Sequence, residues 1–131
     1  MTTTYGLTAT VDRDFDTVVG EVKAALAEQG FGIITEIDMK ATLKAKLDVE
    51  IEQQVILGAC NPGFAHRALQ VEPAIGLLLP CNVVVRTAPE GTIVEMINPQ
   101  TMVDLSGSAE MADLASHVTD ALTSALAAVA D

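Results

Sequence analysis

The chain has 131 residues, half of them hydrophobic but only three Phe, one Tyr and no Trp, and its 18 acidic side chains against 7 basic give a net charge of −11. That length suits a single domain spanning 1–131, with an aliphatic core and no need for a covalent staple. The acidity opposes nucleic-acid backbones and anionic membranes, which need clustered Lys and Arg, so neither is an expected partner.

The first element is a strand over "YGLTATV", residues 5 to 11, where Tyr5, Leu7, Ala9 and Val11 alternate onto one face. Asp14 is placed to cap a helix whose apolar stripe runs Phe15, Val18, Val19, Val22 and Leu26, over 15 to 29, with Gly30 as a left-handed stop. "FGIITEID" predicts a second strand, with Phe31, Ile33 and Ile37 on one face and Ile34 opposite. Met39, Leu43 and Leu47 recur every four residues and predict a short helix, with Lys40, Lys44 and Lys46 on a solvated side. "EQQVILGA" predicts a third strand. "NPGFAHRALQ" predicts a helix with Asn61 as its cap and Pro62 in the first position.

"EPAIGLL" predicts one further helical turn, ended by Pro80. "CNVVVRT" and "TIVEMIN" predict strands four and five, joined by a type I turn at "APEG". Asn98-Pro99 repeats the cap-and-proline start for a short helix. Ser108 opens a long helix over 108 to 129 with the stripe Met111, Leu114, Val118, Leu122, Ala125 and Val129. Glu110 and Asp113 sit near its positive end. No internal repeat or low-complexity linker interrupts this order. The expected fold class is α+β, a mainly antiparallel five-stranded sheet with the two long helices on one face.

Consecutive apolar residues in the strands (Val55 to Leu57, Val83 to Val85, Ile93 and Val94) place hydrophobic side chains on both faces of that sheet. Two helices cover one face, and bare apolar surface marks an interface, so a homodimer is expected. The opening "MTTTYGLTATV" lacks the basic and apolar regions of a secretion signal, and no apolar run reaches the roughly 18 residues of a spanning helix. The expected location is cytoplasmic, where the two cysteines stay reduced.

The segments "GFGIITEIDMKATLKAKL", "ILGACNPGFAHRAL" and "EPAIGLLLPCNVVV", with the closing helix, resemble the domain of unknown function 302 family of bacteria and archaea. The two Cys-Asn segments are the specific part of a likeness that covers nearly the whole chain. The resemblance implies a small α+β domain with an element order similar to TATA-binding-protein-like folds. It implies no activity and leaves the cofactor unknown, and fold likeness to a DNA-binding protein transfers no function.

Chemistry concentrates where those Cys-Asn segments meet. If strands three and four are antiparallel neighbours, Cys60 at the end of one lies beside Cys81 at the start of the next, with Asn61 and Asn82 nearby. His66 and Arg67 stand on the intervening helix. The candidate ligand-binding residues are therefore Cys60, Asn61, His66, Arg67, Cys81 and Asn82. A free Cys also packs as a small hydrophobe, and Asn61 also serves as a plain cap.

Three functional classes follow. The favoured one is a non-enzymatic module binding a small ligand between the Cys-Asn segments, with aliphatic walls. The second is a thiol-dependent redox or metal-linked enzyme with Cys60 as nucleophile, His66 as base and Cys81 as resolving thiol, or with Cys60, His66 and Cys81 as ligands for a soft metal. Against the metal, separations of 6 and 15 residues match no recognised ligand spacing. The third is a structural partner-binding protein with inert cysteines. His117, between stripe residues of the last helix, is expected at its solvated rim. No phosphate loop, dinucleotide fingerprint or serine elbow is present.

Overall fold

The computed structural model of the chain describes residues 4–130. Five strands, β1 (Gly6–Val11), β2 (Gly32–Asp38), β3 (Gln54–Cys60), β4 (Cys81–Ala88) and β5 (Gly91–Ile97), form one sheet in the order β1-β5-β4-β3-β2. Every neighbouring pair is antiparallel. The helices are α1 (Phe15–Glu28), α2 (Met39–Leu47), α3 (Pro62–Val71), α4 (Gln100–Ser106) and α5 (Ala109–Ala130), with a 3₁₀ segment at Pro73–Leu78. The sequence boundaries are met to within two residues. Tyr5 falls just outside β1 and is exposed, and Glu52 and Gln53 fall outside β3.

Helices α1 and α5 pack together on the same face of the sheet. The stripe of α5 is buried throughout, with Met111, Leu114, Val118, Leu122, Ala125 and Val129 each at most 5% exposed. They meet Val18, Val22 and Leu26 of α1 and the inner residues Val55, Leu57, Val83, Val85, Val94 and Met96 in one core. Asp14 occupies the position before α1 but its side chain makes no capping hydrogen bond. Asp38 and Asn61 do cap, accepting from the backbone N–H groups of Ala41 (2.9 Å) and Phe64 (3.2 Å).

The register assigns the opposite face to Thr8 and Thr10 of β1, Ile93 and Glu95 of β5, Asn82, Val84 and Arg86 of β4, Gln54, Ile56 and Gly58 of β3, and Thr35 and Ile37 of β2. Of these only Gly58 is buried. The runs "VIL" and "VVV" therefore split. Val55, Leu57, Val83 and Val85 are buried, while Ile56 and Val84 are half-buried on the open face.

One face assignment is corrected. The register of β2 against β3 shifts between Ile33 and Thr35, so that Ile33 opposes Ala59 on the core side and Ile37 opposes Ile56 on the open side. Ile34 is the extra residue of this bulge. Strict alternation fails because a bulge reverses the pleat beyond it. Gly58 marks the same place: a Cβ there would lie 2.1 Å from Thr35 Oγ1 and 2.9 Å from Pro80 Cγ.

Candidate functional site

Cys60 is the last residue of β3, and its predecessor Ala59 pairs directly with Cys81, the first residue of β4. Antiparallel pairing thus brings the two cysteines together at one end of the sheet. The chain then turns into α3 at Asn61-Pro62. The Asn61 Oδ1 accepts from Phe64 N–H, and its Nδ2 donates to the Gln29 carbonyl at 3.4 Å. That amide ties the end of α1 to the start of α3. It fits because Gly30, at φ +85°, has no Cβ; one would lie 2.8 Å from Asn61 Nδ2.

These segments border a cavity of about 240 Å³. Ala59, Cys60 and Cys81 border it at the sheet end, with Phe31, Leu79 and Pro80 beside them. The wall is Phe64, Ala65 and Ala68 of α3, Met102 of α4, and Met111, Leu114, Ala115 and Val118 of α5. Ile34 also borders it and is 62% exposed, which places this residue at the mouth. Apart from Asn61 and the two thiols, every lining side chain is hydrocarbon or thioether, and none is charged.

The thiols differ. Cys81 is buried and Cys60 half-exposed. Burial, and then the neighbouring Cys60, push the Cys81 thiol up to about 11. Cys81 is therefore a neutral thiol at physiological pH. Cys60 is the accessible one, at a strand end directly before a capped helix.

Three of the six residues singled out from sequence line this cavity: Cys60, Asn61 and Cys81. His66, Arg67 and Asn82 are exposed and do not. Helical periodicity explains the first two, since Phe64, Ala65 and Ala68 turn inward and leave positions 66 and 67 outward. The strand pleat explains the third. Asn82 follows Cys81 and so faces away from it, opposite Gly58 on the open side. The Cys60, His66 and Cys81 ligand set is not assembled; among the described residues no group of three or more His, Cys, Asp or Glu is placed to hold a metal ion. His117 is exposed, as expected, with its Nδ1 2.9 Å from the Asp113 carbonyl oxygen.

Sequence reasoning missed the helical half of the site. Met111, Leu114 and Val118 read as ordinary stripe residues and Met102 lies in a short helix with no stripe of its own, and no local signal distinguishes a residue that lines a cavity from one that fills the core. The aromatic content was the available clue. Phe31 and Phe64, two of the four aromatic residues, both border this cavity, with ring centroids 6.3 Å apart.

The family described as "Domain of unknown function DUF302" matches residues 7–129. The chain belongs to the DUF302 family. The crystal structure of an uncharacterized conserved DUF302 protein from Bacillus stearothermophilus is similar, with a TM-score of 0.89 and 24% sequence identity over 96% of this chain and 98% of that one. At that identity the likeness establishes the fold. No curated protein matches the chain. Among the described residues, no helix of this DUF302 chain is long and apolar enough to cross a membrane.

Proposed function

We propose that this DUF302 chain is a non-enzymatic, cytosolic, homodimeric binding module that takes a small, mainly apolar molecule at the junction of its two Cys-Asn segments. One observation supports the reading above the others: a cavity of about 240 Å³ whose wall is apolar except at Asn61 and the two thiols. An apolar cavity of about 150 Å³ stays dry and takes benzene, so this one suits a ligand of roughly ten non-hydrogen atoms. Asn61 uses one Nδ2 hydrogen on Gln29 and keeps the other as a donor to orient such a ligand. Phe31 and Phe64 suit a planar or ring-containing molecule.

The test is twofold. Native mass spectrometry of protein purified from its own host should report a bound mass of a small organic molecule. Titration with 2-naphthol, followed through the methyl resonances of the methionines, should shift Met102 and Met111 before the others. Absence of a bound mass together with unmoved methyls at millimolar 2-naphthol would overturn the reading.

The second reading is a thiol-dependent enzyme, favoured by the presence of both thiols on one cavity. It has to do without His66 as the base, because that side chain lies outside the cavity. Cys60→Ser separates the two. The binding module keeps its 2-naphthol response, whereas the enzyme loses any turnover it has.

A further inference from the structure

We infer that two copies of this chain associate through the open face of the sheet, each adding its α2 to the contact. This rests on the homodimer proposed above and names its surface. Three observations meet there. The open face carries the aliphatic residues Ile37, Ile56, Val84 and Ile93, of which Ile37 is exposed and the other three are half-buried, on the side of the sheet away from the core residues. Helix α2 has no buried residue at all, although Met39, Leu43 and Leu47 repeat at helical spacing, and Leu47 is 66% exposed. Helix α2 rests beside β2 and β3, with Met39 and Leu43 half-buried, and leaves Leu47 as apolar surface at its end.

Charge favours this face for a second copy. Two molecules of net charge −11 repel, so they can meet only where each presents little net charge. The open face is such a place. Among the described strand residues its charged ones are Arg86 and Glu95, and they neutralise each other through two hydrogen bonds, at 2.8 and 3.4 Å. In the arm that carries α2, Lys40 pairs with Glu50, and Lys44 with both Asp48 and Glu50. Both patches are therefore close to neutral on a strongly acidic molecule. An Arg–Glu pair is also self-complementary, because a two-fold axis can set each cation against the other copy's anion.

Area explains why α2 takes part. Five strands of about six residues give a face about 24 Å by 20 Å, or roughly 480 Å². A stable interface needs about 800 Å² from each partner. The sheet alone falls short, and α2 with its linker supplies additional apolar area. Edge pairing at β2 is the weaker alternative, since the bulge at Ile34 interrupts the free edge.

Light scattering during gel filtration, at 50 µM and physiological salt, tests the inference on the wild type, Val84→Glu and Leu47→Glu. The wild type should give twice the chain mass of 13.7 kDa, and each variant should give the mass of one chain, its dimer weakened at least about a hundredfold. A wild-type monomer overturns the dimer reading and this inference together. A wild-type dimer that survives either substitution leaves the dimer standing and overturns the surface assigned here. Leu47 lies on the exposed arm, so its variant keeps the fold, and unchanged circular dichroism verifies this for both.

Discussion

At Gly58 a single hydrogen atom decides whether β2, β3 and the segment before β4 fit together. A methyl group there would lie 2.1 Å from Thr35 Oγ1 and 2.9 Å from the Pro80 ring, well inside any tolerated contact. Gly58→Ala should therefore cost about 1–3 kcal/mol by overpacking. Urea denaturation measures it, and adding Thr35→Ala should restore part of the loss. Cys81 carries a second residue-scale consequence. Its thiol titrates near 11 in the folded chain and near 9 when unfolded. Below pH 9 both states hold the proton. Above it the unfolded state releases the proton while the folded state keeps it, so stability falls between pH 9 and about 11, by roughly 2–3 kcal/mol. Comparing urea midpoints at pH 8 and pH 10.5 checks the sign, and Cys81→Ala should remove this contribution to the slope. Alkylation at pH 8 should label Cys60 and spare Cys81, as mass mapping would report; labelling of Cys81 first would contradict the assignment.

Among the elements, α3 shows how much of the site was readable locally. Asn61-Pro62 predicts its start, and the structure adds the reason the start matters: the same amide that caps Phe64 N–H also holds the end of α1 through Gln29. Asn61→Ala should cost about 1–2 kcal/mol, more than an isolated cap of about 1 kcal/mol, because two contacts go at once. Asn61→Asp keeps the acceptor for the helix and loses the donor to Gln29, so it should fall between the wild type and the alanine variant in thermal denaturation. The inward and outward sides of α3 follow from its period, Phe64, Ala65 and Ala68 against His66 and Arg67, but nothing local marks that the inward side borders a cavity. β2 shows the complementary failure. Its alternation was legible up to Ile33, but the bulge at Ile34 has no signature in a run of Ile and Thr.

For the whole molecule, charge is the dominant long-range term. Eighteen acidic side chains against seven basic ones repel in the compact state, and the ion pairs present are partly or fully exposed. Such pairs contribute little individually, so screening should relieve more repulsion than it removes attraction. The melting temperature should therefore rise by a few degrees when sodium chloride goes from 20 to 500 mM, as scanning calorimetry would show. A fall would mean that the surface pairs outweigh the net charge.

The sequence alone determined the order and kind of the elements, because helix and strand periods, proline starts and glycine stops are local. It also placed Cys60 at the end of one strand and Cys81 at the start of the next, so that antiparallel pairing of those two strands, which the structure supplies, makes them neighbours. Only the tertiary structure decided which side chains share the cavity. Met102 and Met111 reach it from helices more than twenty residues away along the chain. Asn82, one residue from a lining thiol, is turned out of it by the pleat. Contacts of that kind depend on how whole elements dock, and docking follows from the summed burial of many stripe residues, none of which individually encodes what it will face.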